Sequence, residues 1–202
     1  MADQAVAHDA GGVHATSTGI ENTKLAMWTF LGSETLLFGA LISTFLLYRS
    51  NVPPGIPTPH EIFDIPFTSV SSFVLLMSSL TMVLALAAIQ HGDHHRTRVW
   101  LLATATLGMV FISGQVYEFT AFVREGFTVG TSPAGSAFFV LTSFHGAHVT
   151  LGILMLLSLF GLSLQGKLPR ERANAVEYVG LYWHFVDIVW IVLFTLVYLI
   201  PA

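Results

Sequence analysis

Long apolar stretches alternate with short polar segments along most of this chain. A helix needs about 20 mostly apolar residues to cross a hydrocarbon core roughly 30 Å thick, and five stretches reach that length. Each is too long for a strand of a membrane barrel and lacks the alternation that such a strand shows. The pattern therefore predicts an all-α membrane protein, a bundle of five transmembrane helices at 25–48, 67–89, 99–122, 135–164 and 176–200.

Composition agrees with a membrane environment and removes several kinds of site. Of the 202 residues, 53% are hydrophobic and 10% are charged, whereas soluble domains carry about 25% charged residues. The chain has no cysteine, so disulfides, thiolate metal sites and cysteine nucleophiles are excluded. The net charge of −4, with no basic run, gives no indication of nucleic-acid binding.

Positive charge predicts the orientation of the helices. With a cytoplasmic N-terminus, six of the eight Lys and Arg residues fall in cytoplasmic segments, namely Lys24, Arg96, Arg98, Lys167, Arg170 and Arg172. Only Arg49 and Arg124 then lie outside. Because Lys and Arg accumulate in cytoplasmic loops, the N-terminus is predicted to be cytoplasmic and the C-terminus periplasmic. Residues 1–23 are polar and are predicted to form a flexible cytoplasmic segment ahead of a helical domain at 24–202.

Ionisable side chains within the predicted spans are the candidate functional groups. Each costs on the order of 3 kcal/mol to insert, so its presence needs a reason. Three interpretations stay open: hydrogen bonds between helices, a proton pathway, or a metal site built from histidines and carboxylates. The candidates are Glu34, Glu118, His145, His148, Glu177, His184 and Asp187.

Glu34 differs from the other candidates because its own helix offers it no partner. Thr35 is adjacent, and the residues about one turn away on the helix are apolar: Phe30, Leu31, Leu37 and Phe38. A carboxyl in hydrocarbon is expected to keep its proton at neutral pH unless a cation or water reaches it. Glu34 is therefore the strongest single candidate for a functional group.

Glu118 and His145 lie at similar depth on neighbouring predicted helices. They are therefore predicted to lie close together.

A second histidine cluster lies between the second and third spans. It contains His91, Asp93, His94 and His95. A metal site is one interpretation of this composition, and a solvated cytoplasmic loop is the other.

Two motifs in the fourth and fifth spans resemble subunit III of the haem-copper respiratory oxidases. F-H-G-A-H-V at 144–149 resembles that family's F-H-G-x-H-V, and Y-W-H-F-V-D-I-V-W at 182–190 resembles its Y-W-H-F-V-D-x-V-W. Shorter similarities are Ser33-Glu34, Q-x-x-E at 115–118, G-S-A-F-F at 135–139, and Glu177 ahead of the second motif. The resemblance runs from about residue 25 to the C-terminus.

The resemblance implies an accessory, cofactor-free subunit of a proton-pumping terminal oxidase in the bacterial inner membrane. Such a subunit is non-catalytic and lies beside subunit I, which holds the haems and copper, with subunit II nearby. It is expected to bind phospholipid, to help oxygen reach subunit I and to maintain proton uptake. Glu34 matches the family's carbodiimide-reactive carboxyl. The mitochondrial-type subunit has seven helices, and this chain resembles the shorter five-helix bacterial form found in cytochrome c oxidases and quinol oxidases.

Two alternatives to the oxidase remain at this stage. One is a similar five-helix partner of nitric oxide reductase. The other is a small proton-coupled transporter that uses Glu34, His184 and Asp187. Transporters often contain inverted repeats or broken helices, and the sequence shows neither.

Overall fold

The computed structural model describes residues 22–49 and 64–200. Its five long helices are α1 (Asn22–Tyr48), α2 (Ile65–Gln90), α3 (His94–Arg124), α4 (Pro133–Leu164) and α5 (Ala173–Phe194). A 3₁₀ turn, Arg170–Arg172, precedes α5, and a π-helical turn, Thr195–Leu199, follows it. The described ranges contain no strand, and all five helices are long and apolar enough to cross a membrane. The predicted five-helix fold is confirmed. The predicted flexible segment, 1–23, lies almost entirely outside the described residues.

Short polar caps and glycines separate the helices. Asp64, Asp93 and Ser132 each accept a hydrogen bond from a backbone amide in the first turn of the following helix, at 2.9–3.1 Å. These bonds satisfy amides that have no partner within the helix. Gly92, Gly126 and Gly166 follow α2, α3 and α4 with φ between 69° and 86°. Residues with side chains rarely adopt that conformation, so these glycines allow the chain to leave each helix sharply.

Helices α2 to α5 form a closed four-helix unit around Trp183. In this unit α2 packs on α3 and α5, and α4 packs on α3 and α5. The Trp183 indole is fully buried and donates from Nε1 to Ser78 Oγ on α2 at 2.9 Å. A Cβ atom added at Gly108 on α3 would lie 2.6 Å from the indole, and one at Gly152 on α4 would lie 2.7 Å from it. The two glycines therefore provide the space that the indole fills between the helices.

Helix α1 lies outside this unit, against α4 and α5. Only three of its 27 residues are buried, Leu31, Phe38 and Phe45. Their spacing of seven places them on one narrow line, as in the seam of a coiled coil. The partly buried positions before and between them continue the same line: Lys24, Met27, Glu34, Leu41 and Ile42. The sequence of α1 thus turns Glu34 toward the bundle rather than toward lipid.

Candidate functional site

Glu34 finds its partner across the seam between α1 and α4. Glu34 Oε2 lies 3.1 Å from His148 Nε2, and both side chains are largely buried, with 16% and 15% exposed. The other ring nitrogen of His148, Nδ1, lies 2.7 Å from the Phe144 carbonyl. A carbonyl only accepts hydrogen bonds, so Nδ1 must carry a proton. The contact with Glu34 then needs one further proton, either on the carboxyl in a neutral pair or on the ring in an ion pair.

Aromatic rings enclose the Glu34–His148 pair. The Phe38 ring meets the His148 ring edge-on at 5.0 Å, and the Tyr182 ring is stacked on it at 6.5 Å. Tyr182 also donates its hydroxyl to the His148 carbonyl at 3.1 Å. These rings lower the local dielectric around the His148 ring, which strengthens the hydrogen bond.

Glu177 lies at the end of the same seam that holds the first turn of α1. Its carboxylate accepts a hydrogen bond from Lys24 Nζ at 2.7 Å, which joins α5 to the first turn of α1. Both side chains are at least 30% exposed. An exposed ion pair contributes about 0–1 kcal/mol, so this contact fixes the position of α1 more than it adds stability.

His184 and Asp187 meet on one hydroxyl of α2. Ser79 Oγ lies 2.9 Å from His184 Nδ1 and is also hydrogen-bonded to Asp187 Oδ2. Asp187 is buried, and its second oxygen, Oδ1, has no hydrogen-bond partner among the described residues. His184 is only half-buried. The two residues that share a face of α5 therefore form a single group together with Ser79.

Glu118 lies in a different cluster, toward the end of the bundle where α5 finishes. It accepts hydrogen bonds from Thr68 on α2 at 2.6 Å and from the Tyr198 hydroxyl at 3.2 Å. Tyr198 lies in the π-helical turn and is buried. Glu118 thus joins α2, α3 and the end of the chain's last helical segment.

Glu118 and His145, which the sequence predicts to lie close together, directly or through a water, share no direct hydrogen bond among the described residues. His145 is fully buried, and neither of its ring nitrogens has a hydrogen-bond partner among the described residues. Its ring is stacked on Trp190 at 4.9 Å and meets Phe111 edge-on at 5.9 Å. Similar depth in the membrane does not produce a direct hydrogen bond here, because α4 is rotated so that His145 faces the aromatic side chains of α3 and α5.

The histidine cluster between α2 and α3 is used to end one helix and to begin the next. His91 Nδ1 lies 2.7 Å from the Ala87 carbonyl at the end of α2, while Asp93 caps α3. His94 and His95 are the first residues of α3. Within the ranges 22–49 and 64–200, no group of three or more His, Cys, Asp or Glu residues could hold a metal ion.

Sequence reasoning missed the hydroxyl partners of the buried acids. Glu118 is hydrogen-bonded to Thr68 on α2 and to Tyr198 in the π-helical turn. Asp187 is hydrogen-bonded to Ser79 on α2. Other hydroxyls, such as those of Ser69 and Thr106, donate to the backbone of their own helix. Because both kinds occur in the same apolar stretches, the sequence alone does not distinguish them.

The geometry of α4 and α5 coincides with the two motifs of the sequence. The segment 144–149 supplies His145 and His148, and 182–190 supplies Trp183, His184, Asp187 and Trp190. The family model described as "Cytochrome c oxidase subunit III" matches residues 3–201. The chain belongs to the cytochrome c oxidase subunit III family. Its polar seam, its Ser79 group and its Trp183 core are thus built on the segments that carry the resemblance to subunit III.

Named relatives in the subunit III family agree with the family match. "Cytochrome c oxidase subunit 3" of Bacillus sp. (strain PS3) is 38% identical over 186 residues, covering 92% of this chain and 89% of the relative. "Probable quinol oxidase subunit 3" of Staphylococcus saprophyticus is 35% identical over 195 residues, covering 96% and 97%. "Cytochrome c oxidase subunit 3" of Synechocystis sp. is 41% identical over 172 residues, covering 85% and 72%.

Proposed function

We propose that this chain is the accessory subunit III of a haem-copper terminal oxidase that reduces oxygen to water and pumps protons. The match to the subunit III family over residues 3–201 carries this proposal. Haem and copper reside in partner subunits, with subunit I as the main contact and subunit II as a further one. This chain contributes no catalytic residue.

The electron donor does not determine what this subunit does. Relatives named for cytochrome c oxidase and for quinol oxidase match at 38% and 35% identity, over nearly the whole chain in both cases. A fold shared by both kinds of complex must serve a step that they have in common. Oxygen delivery and proton uptake at subunit I are such steps, whereas oxidation of the donor is not.

The Glu34–His148 pair is the part of this chain best suited to support proton uptake. It lies at the α1 seam, close to the edge of the bundle, and its geometry requires one proton between the carboxyl and the ring. Because Glu34 and His148 are each about 15% exposed, the pair lies within reach of a partner subunit or of water. We infer that it holds and positions a proton without taking part in oxygen chemistry.

A cavity near the outer end of α1 supports phospholipid binding. Its volume is about 600 Å³. The side chains of Leu41, Pro133 and Val140 give it apolar walls, and hydroxyl groups of Thr44 and Ser136 also line it. An acyl chain fits such walls, and the hydroxyls can bond to a lipid headgroup.

The chain is proposed to lie in the bacterial cytoplasmic membrane with its N-terminus inside. Six of its eight Lys and Arg residues then lie on the cytoplasmic side, as the positive-inside rule requires. A reporter fused after Ala202 is expected to be active only in the periplasm. Activity of that fusion in the cytoplasm would contradict the orientation.

Purification of the intact complex through this chain tests the proposed function. Mass spectrometry should find subunits I and II, absorbance should show haem, metal analysis should show copper in the complex, and the preparation should consume oxygen. A complex that reduces nitric oxide but not oxygen would favour the reductase alternative. A chain that purifies without any haem subunit and moves protons in vesicles would favour the transporter.

A further inference from the structure

Ser79, His184 and Asp187 form a three-membered group that crosses from α2 to α5. The Ser79 hydroxyl oxygen is within hydrogen-bond distance of both the His184 Nδ1 atom and the Asp187 Oδ2 atom. A hydroxyl has only one proton to donate. Ser79 therefore donates to one neighbour and accepts from the other, and the protonation states of the three groups are linked.

Two arrangements of protons satisfy both contacts. In the first, a protonated Asp187 donates to Ser79, Ser79 donates to His184 Nδ1, and the ring proton is on Nε2. In the second, His184 Nδ1 donates to Ser79 and Ser79 donates to an ionised Asp187. The first arrangement leaves all three groups neutral.

Burial favours the neutral arrangement. Asp187 is 3% exposed, and its Oδ1 atom has no hydrogen-bond partner among the described residues. An ionised carboxylate would then rely on a single hydroxyl for its stabilisation within the bundle, which is costly. A protonated carboxyl carries no charge and uses its hydrogen bond to Ser79 as a donor.

The other ionisable side chains of the spans have their own arrangements. On α1, Glu34 is bonded to His148 of α4; on α3, Glu118 is bonded to Thr68 and Tyr198. The Lys24 cation is paired with Glu177. His145 on α4 is stacked on Trp190, and neither ring nitrogen has a hydrogen-bond partner in the ranges 22–49 and 64–200. Within the described part of the chain, the ion pairs do not include Asp187.

We propose that Ser79, His184 and Asp187 are a proton-binding site, in which Asp187 holds the proton at neutral pH and Ser79 connects it to His184. Transfer through the site is balanced. The Asp187 proton moves to Ser79 Oγ while the Ser79 proton moves to His184 Nδ1, which leaves a carboxylate and an imidazolium with no proton gained or lost. Since His184 is half-buried, its ring brings the proton toward the bundle surface between α2 and α5.

Infrared spectroscopy of the assembled complex tests the site directly. At neutral pH, the Asp187→Asn variant should lack one carboxylic-acid carbonyl band that the wild-type spectrum shows. The Ser79→Ala variant should keep this band and move it to higher frequency, because the acid loses its hydrogen-bond acceptor. Loss of carboxylate bands in the Asn variant, or an unchanged band frequency in the Ala variant, would overturn the proposal.

Isotope labelling of the full wild-type chain provides a second measurement without substitution. The chain has five aspartates, at 3, 9, 64, 93 and 187, and only Asp187 lies within a predicted span. Carboxyl-labelled aspartate should therefore shift one carboxylic-acid band at neutral pH. Glu118→Gln is the matched control. It removes a buried glutamic acid, so the acid band that responds to labelled aspartate should remain. The absence of a label-sensitive acid band would contradict a protonated Asp187.

The two paired histidines should differ in whether Nδ1 carries a proton. His148 carries its proton on Nδ1, because that atom faces a carbonyl, whereas the proposed site places the His184 proton on Nε2. Nitrogen chemical shifts of labelled histidine in the full chain distinguish the two forms. A protonated Nδ1 on His184 at neutral pH would show that Asp187 is ionised, and the proposal would fail.

Discussion

Helix α1 and the α2–α5 unit are held by different kinds of contact. In the four-helix unit, side chains from three helices enclose the Trp183 indole, and Gly108 and Gly152 allow the backbones to approach it closely. Helix α1 has three buried residues on one line. Met27, Leu41 and Ile42 are partly buried beside them, and polar contacts join Lys24 to Glu177, Glu34 to His148, and Arg49 Nη1 to the Leu196 carbonyl.

This difference follows from the solvent. Lipid tails are as apolar as leucine, so burying an apolar side chain against another helix gains little by the hydrophobic effect. Close packing stabilises α2 to α5, because Trp183 fills space that lipid would fill poorly. A helix with a single apolar line needs polar contacts to fix its depth and rotation. We therefore expect α1 to separate from the bundle more easily than any other helix.

The largest effect is expected from filling the space beside Trp183. In Gly152→Ala, the new Cβ would lie 2.7 Å from the indole, so the helices must move apart. Overpacking of this kind costs about 1–3 kcal/mol, and a lower thermal denaturation temperature of the purified complex is expected.

Gly161 on the same helix provides the control, because a Cβ added there meets nothing within 4 Å. Gly161→Ala should denature at or slightly above the wild-type temperature, since alanine is the better helix former. Equal denaturation temperatures for the two variants would show that Trp183 does not fix the packing of the unit.

A more local effect is expected from Glu34→Ala. It leaves His148 Nε2 without its partner, and an unpaired buried polar group costs about 1–3 kcal/mol. The variant should loosen α1 while α2 to α5 remain packed. Hydrogen exchange should accelerate in α1 and remain unchanged in α3.

Cross-linking between α1 and α4 tests the same loosening of α1 through the distance between the two helices. The chain has no cysteine, so a pair introduced at Leu41 and Ala137, which line one cavity, has no competing thiols in this chain. Disulfide formation should slow in the Glu34→Ala background and proceed normally with Glu34→Gln, which keeps a hydrogen-bonding group. In the hydrogen-exchange measurement, equal exchange rates in α1 and α3 of the Glu34→Ala variant would contradict a separately held α1.

The helices and their buried polar residues could be predicted from the sequence, but their partners could not. Apolar length alone located all five spans to within a few residues. The seam of α1 could not be located from the sequence, because apolar residues occur on every side of that helix and only 31, 38 and 45 are buried. His145 and His148 show the limit. They are three residues apart, yet His148 pairs with Glu34 whereas His145 has no hydrogen bond among the described residues, since the rotation of α4 against its neighbours is set by packing.

Carbodiimide labelling compares the two regions through their carboxyls. Glu34 lies at the α1 seam with 16% of its side chain exposed, whereas Glu118 is enclosed and accepts hydrogen bonds from Thr68 and Tyr198. Label should therefore accumulate on Glu34, and Glu34→Gln should abolish most of it. The Gln variant should still assemble and reduce oxygen, with at most a modest loss of turnover or pumping. Complete loss of oxygen reduction in an assembled complex would refute the accessory role.

The smallest effect is expected from His145→Phe, although this residue is more deeply buried than His148. Its ring already packs as an aromatic group against Trp190 and Phe111, and its two nitrogens make no hydrogen bond among the described residues. Replacing an unpaired polar group with an apolar one of similar shape can be neutral or stabilising. His148→Phe, by contrast, removes the partner of Glu34 and should loosen α1 as Glu34→Ala does. Thermal denaturation of the two complexes tests the difference: an unchanged temperature for the first and faster exchange in α1 for the second are expected. A clear loss of stability in His145→Phe would show that its ring nitrogens are satisfied in the membrane, for instance by buried water.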